Sequence, residues 1–305
     1  TELSLGPRRE EVPVVLHNPA FARPFEVLLR IFPPPTYGSL DPTMVNAVGV
    51  PLLFGLIVGD VAYGVILLAM AFWLRRRYRQ RRTLRAAGTI AAYCAVSTMV
   101  FGLLYGELFG SLGHWLGLHP LIRRDRPEDL IWLLKIAVAI GALHVGLGLG
   151  LGMLAARQVA DRHAFCERLG QLLCLSSAVL LAAGLFLDQP WWLAGAALGL
   201  VWGGGALLWG AGVVGLLEMF SLASNILSYS RLMALGAASV VLALVANRLF
   251  ARLDYGLTGL LMAVALHGLN ILIAMFSPAI HTLRLHYVEF FTKFYRPEGR
   301  DYVPF

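Results

Sequence analysis

The sequence predicts an all-α, polytopic membrane protein of about eight transmembrane helices, the last two of them long and strongly tilted. Three observations carry this. Of 305 residues, 58% are hydrophobic and 14% charged, against about 25% charged in soluble domains. Several apolar runs exceed the roughly 20 residues that take a helix across hydrocarbon. The remaining charge is segregated: Arg75, Arg76, Arg77, Arg79, Arg81, Arg82 and Arg85 share one short segment between two apolar spans.

Residues 1–43 are mixed, Pro-rich and only moderately apolar, and the chain starts at Thr1 without a signal peptide. They read as a cytoplasmic or interfacial connector, the remnant of a missing N-terminal soluble part. The transmembrane domain is expected over 44–295, and a cytoplasmic tail over 296–305. Met44 to Arg75 is apolar but broken at Gly59-Asp60; each half, at about 15 residues, is short for a full span, which predicts a membrane hairpin rather than one interrupted helix. The arginine cluster follows as a cytoplasmic loop, so the net charge of +7 reads as a topology signal and not as a nucleic-acid surface. Ala86 to Gly113 is a span. The outside loop from His114 to Asp129 sets three arginines against Asp125, Glu128 and Asp129. Leu130 to Ala156 returns, with Gly146, Gly148, Gly150 and Gly152 predicting close helix packing. Leu169 to Leu187 and Trp191 to Trp209 form a hairpin turning at Asp188 to Pro190, its Trp191-Trp192 pair suited to the interface.

Val213 to Phe250 and Gly256 to Lys293 close the series. Each is about 38 residues, or about 57 Å of helix, far beyond a ~30 Å hydrocarbon core. They must tilt, curve or protrude. Counting the first hairpin as two gives eight crossings with both ends in the cytoplasm. Cys94, Cys166 and Cys174 lie in apolar surroundings without CxxC spacing, so neither a disulfide framework nor a metal site is indicated, and no cofactor is expected.

Arg231 is the most informative residue. It sits deep in a run whose only other ionisable side chains are Glu218 and, at the far end, Arg248. Arginine keeps its proton, and insertion scales charge about 2.5–3.5 kcal/mol for it at a helix centre. At 100° per residue Ser224 lies within about 20° of Arg231, Ser228 within about 60° and Ser221 about 80° away, a polar approach to the guanidinium. Asn225 belongs to the same stretch. Glu218, thirteen residues earlier, is about 20 Å down the axis, a separate station nearer the cytoplasm. In the final span Asn270, Ser277, His281 and Arg284 fall on one stripe about 60° wide, with His267 at its edge. Asp60, at the hairpin turn, is either a solvated cap or a proton station. His114, His119 and His144 are taken as structural or interfacial. Two fixed cations call for an anionic partner, and no carboxylate of this chain stands at a matching depth, which points to another subunit or a substrate.

The stretch from Pro33 to Thr43, the hairpin Phe54 to Gly64, the run Ser228-Tyr229-Ser230-Arg231-Leu232 with Ala234-Leu235-Gly236, and the close His281 to Phe291 with Lys293-Phe294-Tyr295 together resemble the membrane half of subunit a, or subunit I, of V-type and A-type rotary ATPases, in its bacterial or archaeal form. The resemblance implies a membrane stator beside a rotating ring of small proteolipid (c/L) subunits, each with an essential carboxylate. It further implies contact with central-stalk and peripheral-stalk subunits through the missing N-terminal domain, and a place in the cell membrane. Arg231 then faces the ring, with Arg284 as its helper. Glu218, Ser221, Ser224 and Ser228 would line a cytoplasmic half-channel; Asp60, Asn270, Ser277 and His281 an outside one. The chain itself hydrolyses nothing. The alternative from the residues alone is a secondary transporter that clamps a small anion between the two arginines; it calls for inverted repeats, and the halves carry none.

Overall fold

The computed structural model describes residues 13–14, 18–30, 40–110, 112–115, 117–124, 127–187, 189–254, 256–295 and 300–301. The Pro33 to Ser39 part of the first motif, Asp125, Arg126, Asp188 and most of the C-terminal tail lie outside these. The fold is all-α: α1 (Glu26–Leu29), α2 (Thr43–Val58), α3 (Val61–Arg77), α4 (Arg82–Tyr105), α5 (Leu112–Trp115), α6 (Pro127–Gln158), α7 (Arg162–Leu187), α8 (Pro190–Leu227), α9 (Ser230–Arg252) and α10 (Leu257–Arg284). The two-residue strands β1 (Pro13–Val14) and β2 (Arg300–Asp301) pair in parallel.

Among the described residues, six helical stretches are long and apolar enough to cross a membrane: α4, most of α6 and of α7, Pro190–Gly215, Leu217–Arg252 and Leu257–Lys293. With the shorter apolar α2, 16 residues long, these make seven of the expected eight; the 17-residue α3 ends in Arg75, Arg76 and Arg77. Their hairpin forms where Gly59 takes the left-handed conformation (φ 42°, ψ 49°) that ends α2, a geometry that glycine adopts without steric cost. Both arms pack along α4, Gly64 abutting Met99 and Gly55 abutting Ser97, so α4 wedges between α2 and α3. The antiparallel α7 and α8 form the second hairpin.

The core joins these units. Leu53 and Ile57 of α2, Val145 and Leu149 of α6, Leu175 of α7, Leu222 of α8, Tyr229, and Leu232 of α9 form one buried cluster. Phe54, Tyr63, Leu67, Cys94 and Ala274 belong to a second. The glycine run of α6 is in part a packing device: a β-carbon on Gly148 would stand 3.0 Å from the Phe290 ring, and one on Gly152 would stand 2.4 Å from the Lys293 carbonyl oxygen, whereas Gly150 meets nothing.

Gly212, at φ 62° and ψ −151°, breaks α8 just before the first long span begins, near its expected start. Within that span the helix tightens where Ser228 and Tyr229 separate α8 from α9. Tyr229 N bonds Ile226 O, Arg231 N bonds Ser228 O, and Leu232 N bonds Tyr229 O, three i to i−3 bonds that tighten the turn towards 3₁₀ geometry. The last span is also irregular. After Arg284 it loosens into a π-turn, Leu285–Phe290, then a 3₁₀ turn, Phe291–Lys293.

A candidate ion path along the last two spans

Arg231 leaves the tightened turn two residues after Tyr229. That tyrosine is fully buried and its hydroxyl shares a 2.7 Å hydrogen bond with His144 Nδ1, which fixes the turn and leaves the Arg231 side chain 31% exposed. Its Nη1 stands 3.5 Å from Glu289 Oε1, the outer limit of a hydrogen bond and therefore chiefly a charge pairing. Glu289 corrects the expectation that this chain supplies no matching carboxylate. It lies on the π-turn, is almost fully buried, and its Oε2 has no hydrogen-bond partner among the described residues. A π-turn carries an extra residue per turn, which rotates the following side chains relative to an α-helix; both Glu289 and His286 face inward. Arg284, on the last turn of α10, is exposed and makes no ion pair among the described residues.

The stripe expected on the final span divides. The buried face of α10 runs through Asn270, Ala274, Pro278 and Thr282, a step of four residues that advances about 40° each time. By Thr282 it has turned about 120° from Asn270, so a straight wheel misplaces the later residues. Asn270 is buried, Ser277 and His281 are half-buried and Arg284 is exposed. Neither Ser277 nor His281 has a side-chain partner among the described residues, and His281 Nδ1 is buried without one.

Asn270 instead anchors a network between α3, α9 and α10. Its Nδ2 donates to Tyr63 Oη at 2.9 Å and to Ser239 O at 2.8 Å. Ser239 Oγ donates to Asn270 Oδ1 at 3.1 Å. Tyr63 Oη is 3.0 Å from His267 Nδ1, His267 Nε2 is 3.0 Å from Asn247 Oδ1, and Asn247 Nδ2 donates to Phe109 O at 2.8 Å. Asp60 sits at the same end as a buried acceptor. Its Oδ1 takes hydrogen bonds from the amides of Ala62, Tyr63 and Phe109, and its Oδ2 from Gly110, which caps α3 and pins the 106–110 loop. Of the two roles open to Asp60, this geometry is that of a cap, buried rather than solvated. Tyr63, Ser239 and Asn247 were not anticipated, although Arg231, Ser239 and Asn247 stand eight residues apart, the only polar side chains of α9 between Arg231 and Asn247, a regular drift of about 80° per step.

Glu218 forms a third cluster, away from Arg231. Gln171 Nε2 donates to its Oε2 at 2.5 Å, and Arg168 Nη1 donates to Gln171 Oε1 at 3.1 Å. Lys293 is buried within electrostatic reach of Glu218, Glu167 and Arg168. Ser221 and Ser224 are exposed, and Ser228 Oγ bonds the Ser224 carbonyl at 3.0 Å.

Arg124 is the functional-looking charge that sequence reasoning missed. Its carboxylate partner among the described residues is Glu107, not Glu128 or Asp129, which follow it in the sequence. Its guanidinium bridges Glu107 at 2.6 Å and donates to the carbonyls of Leu56, Ile57, Val58 and Gly59, the C-terminal end of α2, and it lies 3.9 Å over the Tyr105 ring. Burial works against its charge, but the charge and hydrogen bond of Glu107 outweigh this and hold its pKa above the ordinary arginine value. The negative end of the α2 dipole adds to the fit.

Fold and site together define a multi-pass helical membrane protein with an arginine at mid-span and polar clusters threaded between its helices. No protein-family model matches the chain. Among curated proteins it is 32% identical over 319 residues to A-type ATP synthase subunit I of Pyrococcus horikoshii, covering 98% of the chain and 48% of that protein. Against subunit I of Pyrococcus abyssi it is 34% identical over 319 residues, with 97% and 48% covered. Against that of Archaeoglobus fulgidus it is 27% identical over 361 residues, with 97% and 53% covered. The chain is thus a homologue of A-type ATP synthase subunit I, and it spans about half the length of the curated relatives it matches.

Proposed function

We propose that the chain is the transmembrane stator of a V/A-type rotary ATPase or ATP synthase in the prokaryotic cell membrane. It couples proton passage to rotation of a proteolipid ring, and through the stalk subunits to ATP synthesis or hydrolysis elsewhere in the complex. In this reading 44–295 is the proton-channel domain, flanked by the 1–43 connector and the 296–305 tail. The observation that carries it is Arg231: a guanidinium in mid-span, held by a fixed turn, part-exposed, and paired only loosely with Glu289.

The chemistry follows from the charges. A ring carboxylate that crosses lipid is neutral, hence protonated. A fixed guanidinium favours the charged form, so the proton leaves as the carboxylate reaches Arg231, assisted by Arg284. Arginine does not accept the proton, and it bars direct leakage between two offset aqueous half-channels. Glu218, Ser221, Ser224 and Ser228 line the cytoplasmic one. Asn270, Ser277 and His281 line the outer one, with Asp60 shaping its wall. Glu289 holds Arg231 in place between encounters.

Ala234 is exposed one turn beyond Arg231. In a variant whose three native cysteines are replaced, a cysteine at this position is expected to cross-link, in native membranes, to a small and very apolar subunit. A chain that cross-links to nothing and transports an anion by itself would contradict the stator reading.

A further inference from the structure

The helical hairpin of α3 and α4 carries seven arginines and, from residue 61 to residue 106, no Asp or Glu. The acids that bracket it are already engaged at its far end, Asp60 by four backbone amides and Glu107 by Arg124. None of the seven makes an ion pair among the described residues. A topology signal requires only that such charges exist. Here they also converge: Arg75, Arg76, Arg79 and Arg85, with Phe72, line an open hollow of about 570 Å³ between the end of α3 and the start of α4.

Three details make the hollow a site for an anion. The stem of Arg75 lies against Gly88 of α4, where a β-carbon would stand 2.7 Å from its Cγ, so this guanidinium is placed by packing. Arg81, at the N-cap position of α4, offers the first-turn amides no side-chain acceptor, which leaves the positive end of that helix dipole open beside the arginines. The rim is apolar and aromatic: Phe72 and Trp73 are 52% and 61% exposed, and Trp73 meets Tyr78 edge-on at 6.4 Å, the amphipathic belt found at headgroup depth. An occupant is thus approached from the bilayer side rather than from bulk water.

We infer that this hollow binds the phosphate headgroup of an anionic phospholipid at the membrane boundary, with the acyl chains running down the Phe72 and Trp73 face of α3. Guanidinium forks match phosphate oxygens, and basic pockets at helix ends are favourable headgroup sites. The inference does not depend on the rotary reading. It rests on the multi-pass fold and the convergence of the arginines.

The test uses the purified full-length protein in its complex, exchanged into phosphatidylcholine nanodiscs and titrated with phosphatidylglycerol, with retained lipid counted by native mass spectrometry. One arm adds inorganic phosphate instead. Phosphatidylglycerol is expected to be retained in preference to phosphatidylcholine, and inorganic phosphate not to displace it. Binding should weaken by about fivefold for each arginine changed to Gln at 75, 76, 79 and 85. Lysine at all four positions keeps the charge and should recover most of the binding, which separates loss of the site from misfolding. Arg157→Gln with Arg162→Gln, in the other basic connector, should leave it unchanged. Equal retention of the two lipids, full displacement by inorganic phosphate, or no effect of the fourfold Gln variant would each overturn the inference. The last would mean that the retained lipid is held elsewhere in the complex.

Discussion

Arginine in a membrane protein must find anions, carbonyls or water, and this chain shows three solutions. Arg124 is enclosed by a carboxylate, four carbonyls and an aromatic face. Arg231 keeps one loose carboxylate and partial exposure. Arg284 stays at the surface. The enclosed one is structural by this measure, and truncating one member of a buried pair leaves the other charged and unpaired. Arg124→Gln is therefore expected to destabilise the protein by about 3–5 kcal/mol, seen as a lowered thermal transition in detergent. Glu107→Gln added to it should cost far less than the sum of the two single changes, and strict additivity would refute the coupling. Arg231 was legible in the sequence because a charge in a long apolar run is costly wherever the run folds. The partners were not. Glu107 lies seventeen residues before Arg124 and Glu289 fifty-eight after Arg231, while nearer acids invited the wrong pairing in the loop.

At the scale of elements, both candidate arginines stand beside departures from α-helical geometry, Arg231 after a tightened turn and Arg284 before a loosened one. Such turns re-aim side chains by changing the residues per turn. The length and apolar character of the spans were readable, as was the Gly59-Asp60 break, because glycine and a capping carboxylate mark a turn by themselves. The turns at Ser228-Tyr229 and Leu285–Phe290 contain neither glycine nor proline and follow from tertiary packing, with Tyr229 tied to His144 and Phe290 stacked at 4.3 Å on the same ring. A straight helical wheel placed Arg284 beside Asn270 for the same reason: the buried face of α10 winds around its neighbours. The packing account of α6 makes a contrast. Gly148→Val should push Phe290 aside and cost about 1–3 kcal/mol, whereas Gly150→Ala, which meets open space, should be neutral or slightly stabilising. Equal thermal shifts for the two variants would remove packing as the reason for the glycine run.

For the whole molecule, the arginine-rich turn between α3 and α4 sets the expected orientation, with that turn in the cytoplasm. A cysteine at Gln80, exposed in that loop, is expected to react with an impermeant maleimide only from the cytoplasmic side, and labelling from outside would invert the topology and exchange the two half-channels. Within that frame, the proposed function rests on one guanidinium acting on a carboxylate that this chain does not own. The most direct measurement replaces Arg231 with Gln in the assembled complex and follows ATP-driven proton uptake into vesicles alongside retention of the ring. The account predicts that pumping falls to background while the ring stays attached; normal pumping in an intact complex would contradict it.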